Sequence, residues 1–110
     1  IGICDVYQDR VENNSKMIFE KTGKEPYILT NDYNEITTHP DVEVVIITSA
    51  WESHVDIAVS AMENKKVVGL EVGGAYSIED CWKLVTWLQI CRYAHCSVHT
   101  ASLPLVLETC

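Results

Sequence analysis

The stretch VEVVIITSAWESHVDIAVSAMENKKVVGLE, residues 42–71, decides the fold. Residues 42–48 form an apolar run of strand length. The turn Ser49-Ala50-Trp51-Glu52-Ser53-His54 follows, then a helix-patterned segment over 52–65 and a second apolar run over 66–71. Strand, helix and strand in that order make one crossover between parallel strands. Ligands in open parallel sheets bind outside the carboxyl ends of the strands. The polar residues that end these two strands are therefore where function is expected.

Working outward, residues 1–7 read as a short buried strand that reaches Asp5. Asp9 is a candidate N-cap for a helix over 10–22, and Gly23 stops it. Residues 27–29 form a brief second strand behind Pro26. Asn31 and Asp32 then cap a short helical turn through Ile36, which His39-Pro40 ends. Ser77 with Asp80 three residues later resembles a capping box and opens a helix containing Trp82, Leu84 and Val85. Met62 and Trp82 are expected in the core. This alternation predicts an α/β fold with a parallel sheet and flanking helices.

The end of the chain reads differently. Fifteen of the sixteen acidic residues lie at or before Asp80, and only Glu108 follows. Cys, His and Trp accumulate there without periodicity. Residues 1–85 are therefore expected to form one unit and 86–110 an atypical segment, in which Pro104 confines any strand over 97–107 to a sheet edge.

Composition narrows the function. With 47% hydrophobic residues the chain can form a real core, and its formal net charge of −8 leaves no basic stripe for nucleic acid. No apolar run reaches the roughly 20 residues of a membrane span. Cys4, Cys81, Cys91, Cys96 and Cys110 are odd in number and scattered, which suits reduced thiols in a cytoplasmic protein. Cys91, His95, Cys96 and His99 have zinc-like spacing, but their Cys and His pairs overlap instead of forming two knuckles, so no metal site is assigned.

Four places could carry chemistry. Asp5 at a strand end can accept hydrogen bonds from an adenosine ribose, or merely cap the following helix. Val6, Tyr7 and Gln8 offer no Arg for a 2′-phosphate, which favours NAD over NADP. Thr48 and Ser49 can approach a ligand backbone or satisfy loop amides. Trp51 could wall a flat ring and His54 could bond a ribose or amide, the alternatives being a Trp packed under the loop and a solvent-facing His. Glu71 precedes Val72-Gly73-Gly74, where glycines permit close backbone approach.

Taken together, a strand ending in Asp, a strand running into T-S-x-W-x-x-H and a later strand ending in Glu-Val resemble the Gfo/Idh/MocA family of NAD(P)-dependent oxidoreductases. The matching core is ITSAWESHVDIAVSAMENKKVVGLEVGGAYSIEDCWKLV, and the resemblance extends over residues 1–85. It implies a partial Rossmann-like sheet, NAD as cofactor, and cofactor contacts at Asp5, Thr48, Ser49, Trp51, Glu52, Ser53, His54, Glu71 and Val72. Most of the family has Glu-Lys-Pro where this chain has Glu71-Val72-Gly73, and Val72 cannot move a proton. The pattern is nearest to the branch containing NAD-dependent glycosidases of the α-N-acetylgalactosaminidase type. That branch oxidises a sugar carbon transiently, eliminates the aglycone and returns the hydride.

The family's Gly-rich loop should precede Asp5 by about 20 residues, yet four residues precede it here. The expectation is thus a fragment lacking the first strand and phosphate loop, inactive alone, with a gap or a forced pairing where that strand belongs. Its parent would transfer hydride to or from a sugar or polyol. The alternatives are a redox-assisted glycoside hydrolase, or a non-catalytic binding module whose exposed sheet edges associate into homo-oligomers or with a partner.

Overall fold

The computed structural model describes residues 1–92 and 98–100. Strands and helices alternate: β1 (Gly2–Cys4), α1 (Gln8–Thr22), β2 (Ile28–Thr30), α2 (Tyr33–Thr37), β3 (Val44–Ile47), α3 (Trp51–Glu63), β4 (Val67–Leu70), α4 (Ile78–Arg92) and β5 (Val98–Thr100). Every strand pair is parallel, and the alternation is the expected Rossmann-like α/β arrangement.

The sheet comes in two pieces. β1 pairs with β2, and β3, β4 and β5 pair in that order. No ladder joins β1 to β3 among the described residues. At the amino ends of these strands, Ile1, Gly2, Ile36, Asp41, Val42, Glu43 and Val44 line an open depression of about 460 Å³.

Packing explains the larger piece. Val45 and Ile47 of β3 are buried while Val44 and Ile46 are 54% and 75% exposed, the period-2 alternation of a strand covered on one face. α3 supplies that cover: Ala58, Ala61 and Met62 close over Val45, Ile47, Val68 and Leu70. Leu84, Trp87 and Cys91 of α4 complete the cluster. Their i, i+3, i+7 spacing turns the opposite side of α4 outward, so Trp82 is 68% exposed and not in the core as expected. Met62, 2% exposed, is in the core.

α2 joins the two pieces. Asp32 caps it by accepting the Asn34 N–H at 2.9 Å, as the sequence suggested. Thr37 Oγ1 lies 2.7 Å from Ser60 Oγ of α3, and Lys66 Nζ donates to the His39 carbonyl at 2.7 Å. On the β1 side, a Cβ on Gly2 would fall 2.6 Å from Ile36 Cδ1 of α2 and 2.9 Å from Ile28 Cβ of β2, so both elements pack closely on this glycine.

Several boundaries move. α1 begins at Gln8 with Tyr7 as N-cap, not at Arg10 behind Asp9, and Gly23 closes it with φ 68°. Ser77 Oγ accepts the Asp80 N–H at 3.1 Å, which is the forward half of the capping box. α4 runs to Arg92, and β5 pairs parallel with β4. His95, Cys96 and Pro104 lie outside the described residues. None of the described helices is long and apolar enough to cross a membrane, and no described His, Cys, Asp and Glu side chains form a group of three that could hold a metal.

Candidate functional site

β3 ends into a turn tied together by its own side chains. Ser53 Oγ donates to the Ala50 carbonyl at 2.8 Å and lies 2.8 Å from Ser49 Oγ. A hydroxyl has one proton, so Ser49 is the donor in the Ser–Ser pair. Ser49 keeps exposed acceptor capacity, and Thr48 and Glu52 are exposed beside it.

His54 lies beneath this turn, 1% exposed. Its Nε2 is 2.8 Å from the Ser49 carbonyl. A carbonyl only accepts, so the proton is on Nε2. Nδ1 is buried with no hydrogen-bond partner among the described residues. Neither a solvent-facing His nor a ring aimed from the surface describes it: the imidazole clamps the end of β3 to the first turn of α3.

The β4 end meets this turn through Trp51. Glu71 closes the β3–β4 ladder, its N–H donating to the Ile47 carbonyl at 3.1 Å. The chain then turns through Gly73 at φ 89°, a conformation that glycine adopts without cost. The Trp51 indole lies on that glycine, because a Cβ there would be 2.6 Å from Trp51 Cε2 and 2.8 Å from Nε1. Trp51 remains 55% exposed and Val72 56%, with Glu71 exposed between the two turns. The W-x-x-H turn and the Glu-Val-Gly turn thus share one rim.

Asp5 stands at the carboxyl end of the other sheet piece. Its Oδ1 accepts the Tyr7 N–H at 3.0 Å, and its backbone carbonyl accepts from Asn31 Nδ2 at 2.7 Å. This is an Asx turn ahead of α1, which has Tyr7 as N-cap and no side-chain cap bond, so Asp5 leads the chain into the helix without capping it; the turn engages one of the two carboxylate oxygens. Sequence reasoning missed Arg10. One turn into α1 its guanidinium carbon returns to 4.7 Å from the centre of the Tyr7 ring. The three-residue spacing on a helix was the available signal.

Parallel strands joined by helices, with polar turns gathered at the strand ends, define a Rossmann-like α/β unit. No protein-family profile matches the chain. A curated glycosyl hydrolase family 109 protein from Shewanella sp. is 35% identical over 87 residues, covering 76% of this chain and 19% of the relative. The α-N-acetylgalactosaminidase of Shewanella oneidensis is 34% identical over 87 residues, again 76% of this chain and 19% of its own length. A family 109 protein of Bacteroides thetaiotaomicron is 34% identical over 100 residues, 87% of this chain and 21% of its own. The chain thus spans about a fifth of the curated relatives it matches.

Solved structures agree in fold. An oxidoreductase domain protein from Kribbella flavida superposes with TM-score 0.77 at 16% identity, over 90% of this chain and 24% of its own. Apo scyllo-inositol dehydrogenase from Lactobacillus casei gives TM-score 0.73 at 18% identity, over 91% and 27%. The resemblance to the Gfo/Idh/MocA family is borne out, with dehydrogenases and an NAD-binding oxidoreductase as structural neighbours and family 109 glycosyl hydrolases as sequence relatives.

Proposed function

We propose that this chain forms part of the NAD-binding half of a family 109 glycosidase that acts on α-N-acetylgalactosaminides. The observation that carries this reading is the Trp51–Gly73 contact, which sets the W-x-x-H and Glu-Val turns on one rim. Those are the residue patterns on which the resemblance rests. Val72 at the position of the dehydrogenases' lysine also favours this branch over direct hydride transfer, because an isopropyl group cannot relay a proton.

In this reading the side chains have separate tasks. Asp5 offers its unengaged carboxylate oxygen to a ribose hydroxyl. Ser49 and Ser53 present hydroxyl oxygens at the β3 end, and Trp51 walls the rim with its exposed indole. Glu71 and Val72 close the other side, while Thr48 and Glu52 flank the approach. His54 acts from below by holding the Ser49 carbonyl in place. Bound NAD supplies a hydride acceptor and donor. The reading of the sugar or polyol dehydrogenase stands second, favoured by the likeness in fold to scyllo-inositol dehydrogenase.

The 110 residues contain no G-x-G-x-x-G run to cradle a pyrophosphate, so the chain alone should bind NAD more weakly than micromolar. Calorimetry checks this, and micromolar affinity would contradict it. The activity is tested in the full-length protein with a nitrophenyl α-N-acetylgalactosaminide. Release of nitrophenol that requires NAD yet accumulates no NADH supports the glycosidase. NADH accumulating with free sugar or polyol, without glycoside cleavage, replaces it with the dehydrogenase.

A further inference from the structure

The corner His39-Pro40-Asp41 lies at the amino ends of the strands, away from the rim, and both sheet pieces hold on to it. From the approach to β2, the Tyr27 hydroxyl donates to Asp41 Oδ2 at 3.3 Å. The Tyr27 ring also meets the His39 ring edge to face, with centroids 5.8 Å apart and planes at 61°. From the approach to β4, the buried Lys66 donates its ammonium to the His39 carbonyl at 2.7 Å. Across the corner itself, the Asp41 N–H donates to His39 Nδ1 at 3.2 Å. That nitrogen therefore offers its lone pair, and the proton of the neutral imidazole is on Nε2. His39 is partly exposed, so solvent protons reach it.

We infer that His39 is a pH-sensitive joint between the two sheet pieces: its protonation releases the Asp41 amide and draws the Asp41 carboxylate away from Tyr27. An imidazolium has an N–H on both nitrogens and accepts nothing. The Asp41 amide thus loses its acceptor when Nδ1 takes a proton from solvent. The new Nδ1–H needs an acceptor in its turn, and the carboxylate of the same Asp41 supplies one. Opposite charges then hold ring and carboxylate together, an attraction that the neutral Tyr27 hydroxyl does not match. Among the described residues, the charged or titratable groups bonded or stacked at this corner are Tyr27 from the β2 side, Lys66 from the β4 side and Asp41 itself. Lys66 grips a backbone carbonyl, which protonation of the ring leaves unchanged, so the β4 side stays fixed. Tyr27 is the tie that opens. Neutral His39 fastens the β1–β2 piece to the corner, and charged His39 loosens it, whatever binds at the rim.

The test is NMR of the isotope-labelled chain titrated between about pH 8 and pH 5, the range in which histidine changes charge. The Asp41 amide should move with the same midpoint as the His39 Cε1–H. Its protection against exchange, corrected for the intrinsic rate at each pH, should fall by roughly three- to tenfold. The Tyr27 ring resonances should follow with that midpoint. His39→Asn keeps a side-chain acceptor for the amide two residues on but cannot be charged, so these responses should vanish. Asp41→Asn should keep the amide response at position 41 and lose that of Tyr27, because the carboxamide has no charge to be drawn. An Asp41 amide that does not follow His39, or a response that persists in His39→Asn, overturns the joint. So does an Asp41 response in the unsubstituted chain with Tyr27 unmoved, since the two pieces would then be uncoupled there. The unsubstituted chain decides the first and last of these points even if a variant fails to fold.

Discussion

Gly73→Ala is the sharpest perturbation of the rim. Two costs can be read from the geometry. At φ 89° an L-residue is strained by about 1–2 kcal/mol. The new methyl would also lie 2.6 Å from Trp51 Cε2 and 2.9 Å from Cζ2, so the indole must leave. Trp51 is 55% exposed, so it can swing away and forfeit only part of its contact. That adds about 1 kcal/mol or less, by the loss of partly buried apolar area. The expected total is about 2 kcal/mol, or a Tm lower by roughly 8–16 °C in a domain of about 100 residues. Urea denaturation followed by circular dichroism measures it, and the Trp51 indole N–H resonance reports the displacement. In a double-mutant cycle with Trp51→Ala, the clash should vanish and the φ strain remain. A loss under about 0.5 kcal/mol, with the indole resonance unmoved, would refute the contact and with it the joining of the two turns.

Three further outcomes follow from local chemistry. His54→Leu leaves the Ser49 carbonyl without its donor and should cost about 1–3 kcal/mol, while His54→Gln, whose amide can reach the same oxygen, should cost less; chemical denaturation of the two variants decides. Thr37 is 0% exposed and bonded to Ser60 at 2.7 Å, so Thr37→Val should destabilise by about 1–2 kcal/mol, and adding Ser60→Ala should cost less than the sum in the same assay. Partial burial first, then the negative charges of Asp32, Asp5 and Glu35, hold the Cys4 thiol above its ordinary value of 9.0. The folded state therefore keeps its proton longer than the unfolded one, so this group's contribution is intact below the ordinary value and is lost as pH rises through the raised one. Alkylation by iodoacetamide should accordingly reach its half-maximal rate at a higher pH at Cys4 than in the urea-unfolded chain, and coincident profiles would contradict it.

What was legible in the sequence was local. Asp32 as a cap, Gly23 as a stop and the helix before Asn64 depend on neighbours within a few positions, and the parallel pairing of β3 with β4 follows from the single helical crossover between them. β1 is three residues, Gly2–Cys4, shorter than the apolar run over 1–7 suggested. Trp82 was placed inside because size and apolarity favour it, yet the direction of α4 is set by Leu84, Trp87 and Cys91 meeting α3. The candidate site divides the same way. Its residues were found from the pattern of strand ends, but not their roles. That His54 turns inward and that Trp51 finds Gly73 depend on side-chain directions that no spacing encodes.

Strand pairing normally fixes how far apart two strand ends stand. Here the Asp5 end and the Ser49 end belong to separate ladders, and five residues of α2 with their bonds to Ser60 and their packing on Gly2 set that span. α2 is thus a gauge block: in the proposed cofactor reading, it sets the distance between the Asp5 end and the Ser49 end of any dinucleotide lying across both. Loosening it would leave each ladder folded yet put the two halves of the footprint out of step. Amide exchange should then show two protection classes divided at residues 33–37, a mechanical seam rather than a chemical one.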